Sequence, residues 1–215
     1  MTSLKNRAVL PYWRNQSVYI IGGGTSLKTF DWDLLKDKLT IGCNSAYLHG
    51  SDICKVLLFG DVNWWCEFGE EVSRIYDGIV YSIAVPNKVK IPDTVIKLQR
   101  KARGLYYTHL GWNGSTGAAA TNLALLLGAT KVCLLGFDMF LGNDGKPNWH
   151  NQKLLDKPNS KIYNKFIEGF GHIKKELPNK FPNSEIINIT NNSDLDLFPI
   201  VSVEEHFQCE QLSLT

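Results

Sequence analysis

An α/β fold with an open, mostly parallel sheet and helices on both faces is predicted by three observations. Short apolar runs recur along the chain, as strands buried on both faces require. They alternate with segments of helical character. Several of the runs end in glycine or a polar residue, which is where strands of a parallel sheet open onto a common rim.

The first strand, residues 18–21, runs into Gly22, Gly23, Gly24, Thr25, Ser26 and Leu27. Glycines admit positive φ and close approach of the backbone, and N–H groups and hydroxyls that follow them can point at phosphate oxygens. The stretch is not a Walker loop, which ends in Gly-Lys-Ser/Thr. Nor is it a full dinucleotide fingerprint, because Leu27 stands where the third glycine would fall. It predicts a nucleotide or phosphorylated ligand without choosing between them, and a tight turn with no ligand is the bland alternative.

Residues 40–43 form a second strand that leads into Asn44, and residues 56–59 a third that ends at Gly60 and Asp61. Residues 78–82 make a fourth. The Ala-rich stretch 117–127 is the strongest helix, stopped by Gly128. Ahead of it, Ser115 or Thr116 can cap the helix, while Gly114, Gly117 and the positive end of the helix dipole also suit an anion. Residues 131–135 are the next strand, followed by Gly136, Phe137 and Asp138. Ile162, Phe166, Phe170 and Ile173 share one helical face within 151–182, with Pro178 and Pro182 bracketing the end of that helix. Residues 185–189 are the last strand, and the tail after Phe198 carries no readable pattern. Gly22 to Ser26, Asn44, Asp61, Gly136 and Asp138 therefore fall on one rim and line one crevice. The result is a Rossmann-like sheet within a single domain, 1–215, whose nucleotide core covers about 18–150 and whose C-terminal helical and strand segment covers about 151–200.

The chain has 215 residues, enough for one domain with a full core, and 44% of them are hydrophobic. With 23 basic and 21 acidic residues the net charge is +2, so no global field points to nucleic acid or a membrane. A local basic patch is formed by Lys97, Arg100, Lys101 and Arg103. Cysteines 43, 54, 66, 133 and 209 make no CxxC pair and read as reduced residues. The N-terminus lacks an apolar leader and no run approaches 18 apolar residues, so a soluble, cytoplasmic protein is expected. The sequons at Asn113, Asn188 and Asn191 then carry no glycosylation. A homo-oligomer is compatible with all of this.

Among the histidines, His150 lies in a polar loop beyond the strand that ends at Gly136, where an imidazole can take a proton from an attacking hydroxyl. His49, His109, His172 and His206 are assigned surface or core roles. Asp31 with Asp33, and Asp194 with Asp196, spell the D-x-D of metal-dependent glycosyltransferases. Asp31 is better read as a cap of the helix through Leu34 and Leu35, and the second pair as part of an Asn-rich turn. Asp61, with Asp138 as partner, is the better metal candidate, although no cofactor is required. Trp64, Trp65 and Trp112 can stack on a base or sugar, or pack in the core.

Taken in order, residues 20–27, Cys43-Asn44-Ser45, Gly114-Ser115-Thr116-Gly117 and Leu135-Gly136-Phe137-Asp138 resemble the bacterial sialyltransferase family, which uses a CMP-activated sugar. They are equally similar to the wider group sharing that nucleotide-binding core, including pterin diphosphokinase-like and phage-encoded proteins. The resemblance implies that Gly22 to Ser26 lie against the nucleotide phosphates and that Asn44 meets the phosphate or ribose. It implies that Ser115 and Thr116 hold the sugar or base, and that Gly136 and Asp138 border the nucleoside. His150 corresponds to the general base. That family carries tyrosines beside its Gly-x-Asp motif to hold the leaving phosphate. This chain has Met139 and Phe140 there, and Tyr163 is the tyrosine of the next segment available for the role.

The expected function is transfer of a group from a nucleotide-activated donor, such as a nucleotide-sugar, to a hydroxyl acceptor. Two alternatives stand beside it. One is a pyrophosphoryl or nucleotidyl transferase, which would require a divalent cation. The other is an accessory protein that binds a nucleotide without turnover.

Overall fold

The structure is a computed structural model, which describes residues 13–85, 90–152 and 160–212. The N-terminal stretch read above for the absence of a leader, and residues 153–159 of the C-terminal segment, lie outside the described residues.

Seven parallel strands form the main sheet. In chain order these are β1 (Ser17–Ile21), β2 (Leu39–Cys43), β3 (Val56–Phe59), β4 (Ile79–Ser82), β5 (Ile96–Lys97), β8 (Lys131–Leu135) and β9 (Glu185–Asn188). Their spatial order is β5-β4-β3-β2-β1-β8-β9. A small parallel pair, β6 (Arg100–Lys101) and β7 (Leu110–Gly111), stands apart from the main sheet. The helices are α1 (Gly50–Ile53), α2 (Val62–Ile75), α3 (Thr116–Leu126), α4 (Lys161–Lys180) and α5 (Val203–Leu212).

Alternation along the strands divides the core into two layers. Val18 and Ile20, Val132 and Leu134, and Val56 and Leu58 pack with α3 and with Phe170 and Ile173 of α4. Tyr19 and Ile21, Cys133 and Leu135, and Leu57 and Phe59 pack on the opposite face with Trp64, Trp65 and Val72 of α2 and Phe207 of α5. Helices thus cover both faces, as expected. The tryptophan pair belongs to the core, with Trp64 fully buried. α3 is buried from Thr116 to Leu125, and its small residues let it lie close to the sheet: a Cβ on Gly117 would stand 2.4 Å from the Phe137 ring. Such a helix needs no polar face.

Several elements were not read from the sequence. The glycine turn opens into a 3₁₀ segment, Thr25–Thr29, and not an α-helix. α2 was not read from the sequence, although Trp64, Trp65, Phe68 and Val72 share its buried face. α4 continues through Pro178 and ends at Lys180, between the two prolines as expected; proline removes one N–H, and the last turn survives its loss. The tail forms α5, anchored to the sheet by polar contacts. Tyr19 Oη lies 2.9 Å from His206 Nε2 and donates to Glu210 at 2.5 Å, and Lys38 Nζ donates to the other Glu210 oxygen at 2.5 Å.

Candidate functional site

The sheet order reverses direction at β1: β2 to β5 extend to one side, β8 and β9 to the other. Ligand crevices of open α/β sheets form at such a switch point, beyond the carboxyl ends of the strands. The loops that leave β1 and β8 meet there. Gly24 N donates to the Gly136 carbonyl at 2.8 Å. Asp138, 2% exposed, accepts from Ser26 N at 2.8 Å, from Ser26 Oγ at 2.6 Å and from Thr25 Oγ1 at 3.2 Å. The donors expected to face a phosphate are directed at this carboxylate, so the turn works as a clasp between two strands.

The three glycines are needed for close approach and not for positive φ, which is a correction. None of them has positive φ, whereas Gly136 does, at 74°. A Cβ on Gly24 would lie 2.0 Å from Asp138 Oδ1, and one on Gly22 would lie 2.5 Å from the Gly136 carbonyl oxygen. Gly23 is different: its nearest obstacle is the side-chain oxygen of Asn148, at 2.8 Å.

The crevice continues along the ends of β2 and β3. Asn44 begins a 3₁₀ segment with φ 51°, and its Oδ1 accepts from Thr116 Oγ1 at 3.5 Å. Asn113, Gly114 and Met139 also have positive φ, at 48°, 82° and 63°. For methionine that conformation is uncommon and marks a position held by its surroundings. Ser115 caps α3, its Oγ accepting from Ala118 N at 3.1 Å. Asp61 caps α2 in the same way, accepting from Asn63 N at 2.8 Å. Both rim residues therefore have a helix-capping role. Asp31 also caps, as expected, though its helix is a short 3₁₀ segment. Burial raises the pKa of Tyr163, on the first turn of α4, and the nearby charge of Asp138 adds to the rise.

His150 is placed by its neighbour. Trp149 N donates to the Gly23 carbonyl at 3.0 Å, and Trp149 Nε1 reaches the Gly22 carbonyl at 3.4 Å. The imidazole stands edge-on to Trp149 and borders a groove of ≈ 570 Å³ lined also by Leu48, Phe68 and Glu71. Burial, with His49 adding, lowers the His150 pKa to about 4. His49 was not singled out by sequence. Its ring stacks on Trp32 at 3.6 Å and lies 4.5 Å from Trp149, and burial lowers its pKa to about 4 as well. Among the described residues, His150 Nδ1 and His49 Nε2 are buried without a hydrogen-bond partner. Among the described residues, no hydrogen bond or ring contact joins His150 to Asp138, Asn44 or Thr116. The candidate residues thus fall into two groups: Asn44, Thr116 and the Asp138 clasp at the strand ends, and His150 in a groove beside Trp149.

The sequence matches no protein-family model and no curated protein. Solved structures do match. The sialyltransferase CstII from Campylobacter jejuni, solved with cytidine-5'-monophosphate, superposes with a TM-score of 0.53 at 17% identity, covering 88% of this chain and 86% of that one. This chain shares that fold. The MAf glycosyltransferase from Magnetospirillum magneticum AMB-1 gives a TM-score of 0.59 at 16% identity over 96% of this chain, which spans 38% of that longer protein. Among the described residues, no helix is long and apolar enough to cross a membrane. Likewise among the described residues, no group of three or more His, Cys, Asp or Glu side chains is placed to hold a metal ion.

Proposed function

We propose that this chain is a single-domain, cytoplasmic glycosyltransferase-like enzyme that moves a sugar from a nucleotide-activated donor to a hydroxyl acceptor. The observation that carries the reading is the pairing of Asn44 with Thr116 beside the Asp138 clasp, at the switch point of a fold shared with a CMP-bound sialyltransferase. In this reading Gly23 gives the nucleotide room to approach the backbone, while Gly22, Gly24, Gly117 and Gly136 let the loops around it pack closely on one another. Asn44 and Thr116 hydrogen-bond its phosphate or ribose, with Ser115 setting the start of α3. Asp138 holds Thr25 and Ser26, and Tyr163 steadies the leaving phosphate.

In the transfer step the acceptor oxygen forms a bond to the anomeric carbon as the bond to the phosphate oxygen breaks. The nucleotide departs with that electron pair, and the hydroxyl proton passes to His150. An imidazole held near pKa 4 is neutral at pH 7, so the base-competent form is always present, though it is a weaker base than an unperturbed histidine. That weakness is the specific observation favouring the second reading, a nucleotide-binding protein without turnover.

A thermal-shift screen of nucleotides and nucleotide-sugars, with and without Mg²⁺, tests the reading. The expected result is a metal-independent rise in melting temperature with nucleotide-sugars, followed by release of free nucleotide when an acceptor is supplied. Stabilisation confined to nucleoside triphosphate with Mg²⁺ would favour pyrophosphoryl transfer. Binding with the donor recovered intact from every acceptor mixture would favour the non-catalytic protein.

A further inference from the structure

The crevice carries fixed negative charge, from Asp138 on one wall and Asp61 at its edge, and its strongest donors are already bonded to Asp138. A phosphate entering it needs a positive partner supplied from elsewhere.

Four cations were grouped as one basic patch in the sequence, and the structure separates them. Lys97 donates to the Ile91 carbonyl at 2.7 Å and faces Asp93 at 3.6 Å. Arg103 faces Glu168 at 3.6 Å. Lys101 follows Arg100 in β6 and so points to the opposite side of that strand. Arg100 is the one directed at the rim. Its guanidinium lies over the Trp112 ring at 5.2 Å, and Nη1 reaches the Gly60 carbonyl at 3.5 Å. No carboxylate lies within ion-pair distance of Arg100 among the described residues.

Both of its anchors belong to the crevice. Gly60 follows β3, whose register pairs Leu58 with Cys43 of β2, so Asn44 comes level with Phe59, the residue just before Gly60, on strands about 4.8 Å apart. The Trp112 ring packs so closely on Gly60 that a Cβ there would come within 2.2 Å of it. The Trp112 carbonyl accepts from Ser115 N at 3.1 Å, which ties the same tryptophan to the start of α3 and to Thr116. An aromatic face under an exposed guanidinium fixes its plane while leaving most of its N–H fork free for bidentate contact with an oxyanion.

We infer that Arg100, oriented by Trp112, is the phosphate-recognition residue of the crevice and confers preference for a nucleotide over its nucleoside. The inference rests on the nucleotide reading above.

Titration calorimetry with CMP, UMP, AMP and GMP, each against its nucleoside, tests this on the full chain. Wild type is expected to bind at least one monophosphate more tightly than the matching nucleoside. Arg100→Gln should weaken that monophosphate about 10- to 100-fold, leave the nucleoside within about twofold, and flatten the salt dependence of binding. Arg100→Lys should recover part of the loss, and Arg100→Glu should abolish monophosphate binding. Arg100→Gln that keeps the full preference for the monophosphate would overturn the role of Arg100 and leave the nucleotide reading standing. Wild type that binds no monophosphate, or does not distinguish it from the nucleoside, would overturn both.

Discussion

Asp138 and Ser26 are joined twice: one carboxylate oxygen takes the Ser26 hydroxyl at 2.6 Å and the other takes its backbone N–H at 2.8 Å. This clasp closes the gap between β1 and β8, the strand pair at which the sheet reverses direction. Asp138→Asn replaces one acceptor by a donor facing donors, and the fold should lose about 1–3 kcal/mol. Urea denaturation checks it; a midpoint equal to wild type would mean that the clasp contributes nothing to stability.

The glycines of the turn should respond unequally. Gly24→Ala must displace Asp138 and the Gly136 carbonyl, and should lower the melting temperature by many degrees. Gly23→Ala meets only the mobile end of Asn148 and should fold nearly as wild type, while Gly23→Val should weaken nucleotide binding in a folded protein. Equal melting temperatures for the variants at 23 and 24 would contradict this ordering.

Ser115 and Thr116 should separate into stability and binding. Ser115→Ala removes the cap of α3 and should cost about 1 kcal/mol of stability. Thr116→Val removes the hydroxyl that faces Asn44 and should lower nucleotide affinity with little change in melting temperature. Paired melting and titration measurements distinguish the two, and unchanged affinity in Thr116→Val would exclude that hydroxyl from the site.

The two buried imidazoles make stability depend on pH. His49 and His150 are held near pKa 4, whereas an unfolded histidine titrates near about 6.5. Between those values the unfolded chain binds more protons, so stability rises with pH and is lost as pH falls from about 6.5 toward 4. Replacing both with phenylalanine should flatten that slope. If His150 is the base, the acidic limb of the rate profile should lie near 4; a limb near 6.5 would assign it to another group.

Much of the fold was legible because its strands are short, apolar and closed by glycine or polar residues, as in 18–21, 56–59 and 131–135. The rim was legible for the same reason, since each strand end announces its own loop. What could not be read was which donors face which acceptors. Nothing local indicates that Ser26 meets Asp138 across 112 positions. Nor does it indicate that Arg100 leaves its basic neighbours for Trp112. His49 was passed over because its context is a short 3₁₀ segment, and the stacking that buries it comes from Trp32 and Trp149 in other loops. α5 was hidden because its polar contacts with Tyr19 and Lys38 replace the apolar stripe that marks most helices.

The central claim is that a nucleotide binds at the carboxyl ends of β1, β2 and β8 and not in the groove beside His150. Mapping amide chemical shifts by NMR as CMP, UMP, AMP or GMP is titrated in tests this most directly. The account predicts saturable changes centred on Gly23, Asn44, the Ser115–Gly117 turn and the Arg100 segment. Changes confined to Leu48, Phe68, Glu71 and Gln152, or no saturable change with any of the four, would contradict it.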